Sequence, residues 1–304
     1  MAASRDPHLF CFGLGYVAKA LVRELGDRDW TVSGTSRSAE TVGSLRDGNI
    51  AAFFFDGQAP MTDAGRRLGE TTHMLVSAPP GERGDPVLNC HERDIAALEH
   101  LRWVGYLSTT GPYGDRGGAW VDERTPPAPS TERGRRRWGA ERRWLGLWRD
   151  RGVPVHIFRL AGIYGPGRSQ IDGLRNGTAR RICKEGQVFS RIHIEDLTAV
   201  LRASIARPDP GAIYNVCDDE PAPPQNVVAH AAALLGVTPP PLIDFETARM
   251  SDMARGFYAE NKRVRNARIK AELGVRLKYP TYREGLAALI CITSSRPMFS
   301  SPAG

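Results

Sequence analysis

Long apolar runs are missing from this chain of 304 residues. Runs such as Ile50 to Phe55 fall far short of the roughly 18 to 20 residues that span a bilayer, so no membrane helix and no membrane partner are expected. Ahead of the first glycine-rich turn stands only the short apolar run Leu9 to Phe12, too little for the apolar region of a signal peptide. A cytoplasmic location is the expectation. Cysteine is scarce and unpatterned. Cys11, Cys90, Cys183, Cys217 and Cys291 are odd in number, widely scattered and without a C-x-x-C pair, which suits reduced thiols rather than a disulfide framework or a zinc site. No metal site is expected, and no internal repeat is visible.

What is present is ordinary globular usage, with 41% hydrophobic and 25% charged residues, enough for one large α/β unit or two smaller domains. The net charge of +7 raises the question of an anionic partner. Its densest basic run is Arg133-Gly134-Arg135-Arg136-Arg137, followed by Arg142 and Arg143, at the start of an amphipathic helix. A solvated helix face is the first reading and a phosphate or carboxylate clamp the second. Aromatic residues interleaved on a recognisable motif are missing, so nucleic-acid binding is not expected.

Along the chain, Leu9 to Phe12 reads as a strand, and Val17, Ala20, Leu21 and Leu25 then recur at helical spacing until Gly26. Further strands are predicted at Thr31 to Thr35, Ile50 to Phe55, His73 to Ser77, Val104 to Ser108 and Val155 to Leu160. Helices fall around Ile95, Leu98 and Leu101, and over Arg135 to Arg149, with Trp138, Trp144, Leu145 and Trp148. This alternation predicts an α/β fold: a Rossmann-type, doubly wound parallel sheet over residues 8–164, with contributions from 187–217. Residues 165–289 form a smaller, interleaved C-terminal substrate lobe, with helices at Asn226 to Leu235 and around Arg263 to Leu273. The Ser/Pro-rich tail, 290–304, has no periodicity and is expected to be disordered.

Gly13-Leu14-Gly15-Tyr16-Val17-Ala18 is a G-x-G-x-x-A turn directly after a strand and opening a helix, the context that a dinucleotide fingerprint requires. The first glycine permits the turn, the second lets backbone approach the pyrophosphate, and the small alanine allows close packing of helix on strand. The acidic residue that grips the 2′-hydroxyl of NAD, about 20 positions on, is missing. Thr35, Ser36 and Arg37 stand there instead, and the guanidinium could hold a 2′-phosphate, which points to NADP with NAD as the alternative. A plain surface arginine is the other reading of Arg37. Asp56 is placed beside the adenine or as a loop cap, and Ser77, Ala78 and Ser108 at the ends of later strands complete the expected cofactor contacts.

At this point the chain resembles the extended short-chain dehydrogenase/reductase superfamily, in particular its atypical NAD(P)-dependent epimerase/dehydratase-like members. The resemblance rests on the glycine turn and, in the superfamily's order, on four further segments. These are Tyr106 to Asp115 (YLSTTGPYGD), Arg159 to Gly167 (RLAGIYGPG), Phe189 to Asp196 (FSRIHIED) and Tyr214 to Cys217 (YNVC). It implies NAD(P)-dependent chemistry on a small hydroxy or keto substrate, a Ser/Thr after the fifth strand, met here by Thr109, and a Tyr-x-x-x-Lys pair on the next helix. Taking Glu141 as the acidic residue four places after the lysine puts Arg133 at the tyrosine and Arg137 at the lysine. The pair is absent.

Arginine stays protonated and has no acceptor, so Arg133 cannot exchange the proton, although Arg137 can supply charge or bind the ribose. Tyr113 is the expected stand-in, with Thr109 and Arg137 beside it; Tyr164 and His193 are weaker candidates. Arg168, Arg175, Arg180, Arg181, Lys184 and Arg191 would mark an anionic substrate if several point inward. The expected protein is an NADP-binding oxidoreductase of the epimerase/dehydratase type, and its rival a non-catalytic NADP(H) sensor or scaffold. A homodimer is compatible with either.

Overall fold

The computed structural model describes residues 6–26, 30–47 and 50–294, the side chains of 291–294 excepted. In chain order the first half runs β1 (His8–Phe12), α1 (Tyr16–Leu25), β2 (Thr31–Ser36), α2 (Ala39–Asp47), β3 (Ala51–Phe54), α3 (Ala64–Leu68) and β4 (His73–Val76). Then come α4 (Pro86–Ala96), β5 (Trp103–Thr109), β6 (Trp120–Val121), α5 (Glu132–Arg151), β7 (Val155–Leu160) and β8 (Gly162–Tyr164). The remainder is α6 (Gln170–Arg175), β9 (Arg181–Cys183), β10 (Arg191–His193), α7 (Ile194–Ala206), β11 (Ile213–Val216) and α8 (Pro224–Leu235). It ends with β12 (Leu242–Asp244), α9 (Asp252–Tyr258), β13 (Arg263–Val264), α10 (Ala267–Ala271) and α11 (Tyr282–Ser294).

Seven strands form one sheet in the order β11-β7-β5-β4-β1-β2-β3, and every pairing in it is parallel. Leu9, Phe10, Cys11 and Phe12 of β1 are all fully buried, which is why this central strand reads as a continuous apolar run. Helices cover both faces. Val17, Leu21, Val42, Leu45, Leu197, Leu201 and Ile269 pack α1, α2, α7 and α10 on one side. Leu68, Val87, Leu88, Ile95, Trp144 and Leu147 pack α3, α4 and α5 on the other. The order reverses between β1 and β4, which opens a crevice at the carboxyl ends of those strands, where ligands of such sheets bind.

The lobe is built from short parallel pairs, β8 with β10, β9 with β12 and β6 with β13, and from a small core in which Tyr164, Ile171, Val227, Tyr282 and Leu286 join α6, α8 and α11. Two sequence expectations change. The helix placed around Arg263 to Leu273 is split, because Arg263 and Val264 pair as β13 with Trp120 and Val121, leaving α10 to begin at Ala267. Helix α11 continues to Ser294, five residues into the segment expected to be disordered, because Leu286 and Leu289 anchor it to the lobe core; residues 295–304 lie outside the described residues. No helix among the described residues is long and apolar enough to cross a membrane.

Candidate active site

The glycine turn sits at the switch point. Gly13 takes a φ of +97°, and a Cβ there would come within 2.5 Å of the Ser77 hydroxyl. That hydroxyl donates to the Gly13 carbonyl at 2.9 Å and to the Phe12 carbonyl at 3.2 Å, tying the ends of β1 and β4 together. Thr35, expected to face the cofactor, is instead buried at 1% exposure; its hydroxyl accepts from the Gly13 N–H at 3.0 Å and its carbonyl from Leu14 at 2.8 Å. It holds the turn in place. Gly15 differs: a Cβ there would meet nothing within 4 Å. Gly15 is also the N-cap of α1, which has no side-chain cap and no acidic residue in its first turn. The first N–H groups of a ten-residue helix therefore face open space, the arrangement that accepts a pyrophosphate, and the residues present fit a dinucleotide.

Around this cradle, Leu14 and Val17 are buried and anchor the turn, while the Tyr16 phenol donates to the Pro166 carbonyl at 3.1 Å and carries the Arg168 guanidinium over its ring at 5.8 Å. Tyr16 thus links the turn to the lobe. Ser36 accepts from the Ser38 N–H at 3.2 Å, and Arg37 is exposed just beyond β2. Asp56 is exposed after β3 and accepts from the Gln58 N–H at 2.9 Å, the geometry of a loop cap. Ala78 follows Ser77 and is half-buried against the core on the α4 side.

At the carboxyl end of β5 the expected residues part company. Ser108 is buried and donates to Glu141 at 2.5 Å, and Glu141, itself fully buried, receives the Arg159 guanidinium at 2.8 Å. Ser108 therefore belongs to an ion-pair network beneath the site, which sequence spacing had read only as a landmark at Glu141. Thr109 is half-buried; its hydroxyl accepts from the Gly111 N–H at 2.9 Å and keeps its own proton to donate. Arg137 is 7% exposed, and one of its terminal nitrogens donates to the Leu107 carbonyl at 2.9 Å and to the Tyr106 hydroxyl at 3.1 Å. One turn earlier on α5, Arg133 is exposed, with its guanidinium 5.1 Å from the Phe257 ring.

Tyr113, expected to donate a proton to substrate, is fully buried. Its phenol donates to Asn215 Oδ1 at 2.8 Å, its ring lies 4.7 Å from the Arg159 guanidinium, and it packs with Val121, Cys217 and Val264. Burial pushes its pKa up to about 12. This is the environment of a packing residue, because the hydroxyl is enclosed and engaged. Tyr164 is likewise buried, 5.2 Å from the His193 ring, and burial raises its pKa. His193 caps α7 by accepting from the Glu195 N–H at 3.3 Å, and burial lowers its pKa to about 4.

The lobe's basic residues are mostly occupied. Arg191 is buried and donates to the Phe189 and Ala222 carbonyls, Lys184 donates to the Tyr258 carbonyl at 2.6 Å, and Arg180 donates to the Arg249 carbonyl. Sequence reasoning missed two groups here. Lys262, buried, bridges the Gly114 carbonyl at 2.7 Å and Glu260 at 2.5 Å, and the other Glu260 oxygen accepts from Ser130 at 2.8 Å and Thr131 at 3.2 Å. Asp218 is 1% exposed, with one carboxylate oxygen lacking any hydrogen-bond partner. Neither carries a local motif, so only the tertiary fold reveals them.

The sheet order, the cradle at its switch point and the interleaved lobe define the NAD-dependent epimerase/dehydratase fold of the extended short-chain dehydrogenase/reductases. The dTDP-glucose 4,6-dehydratase of Bacillus anthracis str. Ames, solved in complex with NAD, shares it with a TM-score of 0.74 at 16% identity, over 95% of this chain and 96% of that one. Within the fold, the chain belongs to the same family as a conserved protein of unknown function from Silicibacter pomeroyi DSS. The two are 53% identical over 94% of this chain and 99% of that one, with a TM-score of 0.86. Protein YeeZ of Escherichia coli (strain K12) is 29% identical over 279 residues, 88% of this chain and 94% of that protein. No family model matches the chain.

Proposed function

We propose that this protein is an NADP(H)-dependent oxidoreductase acting on a small polar hydroxy or keto substrate. The observation that carries the reading is the uncapped N-terminus of α1 behind Gly13 and Gly15, with Arg37 rather than a carboxylate at the end of β2. The N–H groups at the start of α1, from Gly15 to Val17, would hold the pyrophosphate, with Gly13 and Leu14 fixing the turn on Thr35, and Arg37 would fork onto a 2′-phosphate, a contact that NAD does not offer. The bound nicotinamide supplies or accepts a hydride. Thr109, with a proton to donate at the end of β5, orients the substrate oxygen, and the fixed charge of Arg137 one layer below stabilises negative charge developing on it. Water delivers the proton, since Tyr113 is enclosed and Arg133 has no acceptor.

The burial of Tyr113 also favours a second reading, a non-catalytic NADP(H) sensor. Calorimetric titration with NADPH and NADH, followed by nicotinamide absorbance with a panel of small hydroxy and keto acids, separates the two. Tight NADPH binding with turnover supports the enzyme. Tight binding without turnover on any member supports the sensor, and absence of binding rejects both.

A further inference from the structure

Arg133 stands where the superfamily's tyrosine would be, yet it is not idle surface. Its guanidinium lies 5.1 Å from the Phe257 ring. Phe257 and Met253 occupy positions one turn apart on α9 and are 52% and 71% exposed, so the ring that meets the cation is followed by a second large apolar side chain on the same helix. The carboxylates nearest Arg133 bond other groups, Glu260 reaching it by charge alone. Glu132 divides its oxygens between Arg135 and Arg136, each at 3.0 Å, and Glu260 divides its own between Ser130, Thr131 and Lys262. Among the described residues Arg133 makes no hydrogen bond and no ion pair.

The Glu260 contacts have a second effect. They fasten the segment that follows α9 to Thr131, the N-cap of α5, so that Phe257 is held against the turn of α5 that carries Arg133. Gly134, the next residue along, packs against Gly111 directly beyond Thr109; a Cβ on Gly134 would come within 2.9 Å of the Gly111 carbonyl. The cation, the Phe257 ring and the loop after Thr109 are thereby brought to one corner.

We infer that Arg133, Phe257 and Met253 form a recognition subsite for a carboxylate carried on a flat, unsaturated or aromatic body. The inference rests on the functional reading above and names its substrate class. A planar fork matches a carboxylate with two parallel N–H donors, and the exposed ring and thioether cover the apolar body that follows it. Arg137, one turn further along α5, is buried and already donates to Leu107 and Tyr106, and Arg136 is engaged by Glu132. Arg133 thus acts as a specificity residue at a position where the superfamily keeps an acid.

Calorimetry on the full chain, with and without NADP, tests the subsite using cinnamate, cinnamamide and UDP as probes. Cinnamate is expected to bind at least about tenfold more tightly than cinnamamide and than UDP. Arg133→Gln is expected to lose about 10- to 100-fold in cinnamate affinity, and Arg133→Lys, which keeps charge without the fork, to fall between. Phe257→Ala should weaken cinnamate without affecting NADPH. Equal affinity for cinnamate and cinnamamide, preference for UDP, or unchanged binding in Arg133→Gln with an unaltered circular dichroism spectrum overturns the subsite. NADPH affinity is measured on the same samples: its absence in the unmodified protein counts against the proposed function alone, and its retention in Arg133→Gln shows that the variant is folded.

Discussion

Tyr113 and Asn215 are 102 positions apart in sequence, yet the phenol of one donates to the amide oxygen of the other at 2.8 Å in a fully buried pair. The bond joins the turn after β5 to the edge strand β11, and Asn215 extends the link by donating to the Arg265 carbonyl at 3.2 Å. A tyrosine in this position stabilises the seam between sheet and lobe.

Tyr113→Phe removes the hydroxyl and leaves a buried amide oxygen without its donor, a loss of about 1 to 3 kcal/mol. Urea unfolding should show that loss, while NADPH affinity and any turnover stay within about twofold of the unmodified protein. A fall in turnover of about 10² or more with unchanged stability would instead make Tyr113 the proton donor.

Glu141→Gln removes the charge that Arg159 and Ser108 share. The cost expected is about 3 to 5 kcal/mol, because a guanidinium at 1% exposure is left in the core without its counter-ion. The denaturant midpoint reports it, and a loss below about 1 kcal/mol would show that water reaches the pair.

The contrast between Gly13 and Tyr113 explains what the sequence made legible. The glycine turn was readable as structure because its requirements are local: a tight turn at Gly13 and a small, buried residue at Ala18. Strand β7 was readable to the residue from Val155, Ile157, Phe158 and Leu160, although His156 and Arg159 are buried with them, Arg159 on Glu141. Tyr113, Ser108 and Thr35 were misplaced for the opposite reason. Each carries a hydroxyl beside a strand end, and whether it faces ligand or protein depends on partners far along the chain: Asn215, Glu141 and the backbone of Gly13. Arg263 and Val264 were read as helix because their β partner lies in another segment, Trp120 and Val121.

Arg37→Asp should lower NADPH affinity by about 1.5 to 3 kcal/mol and narrow or reverse the preference over NADH, since a charge-assisted contact to the 2′-phosphate is replaced by repulsion. Fluorescence titration of both cofactors on both proteins measures the preference. Equal affinities in the unmodified protein would remove Arg37 from the site.

Gly15→Val places a branched side chain in the space in front of α1, where a Cβ meets no protein atom. Cofactor binding should be abolished while the circular dichroism spectrum is unchanged. Retained binding would mean that the pyrophosphate does not sit on this turn.

Asp218 gives the fold a pH dependence. Burial raises its pKa to about 8 against the nearby charge of Arg191; one carboxylate oxygen accepts from the Glu220 N–H at 3.3 Å and the other has no partner. In the unfolded chain an aspartate titrates near ~3.9. The folded state therefore holds a proton that the unfolded state has released, so the contribution of this group to stability is greatest below about pH 4 and declines as the pH rises towards 8. Between about pH 5 and 8 the decline should be on the order of a few kcal/mol. Asp218→Asn keeps an acceptor for Glu220 but cannot ionise, so its urea stability should exceed that of the unmodified protein by a margin that grows towards the alkaline end of that range. His193, whose pKa burial lowers to about 4 in the folded state, takes up its proton near ~6.5 only in the unfolded chain; that effect is common to both proteins and cancels in their difference. Parallel stability curves for the two proteins from about pH 5 to 8 would show that Asp218 is ionised throughout and is neutralised by Arg191.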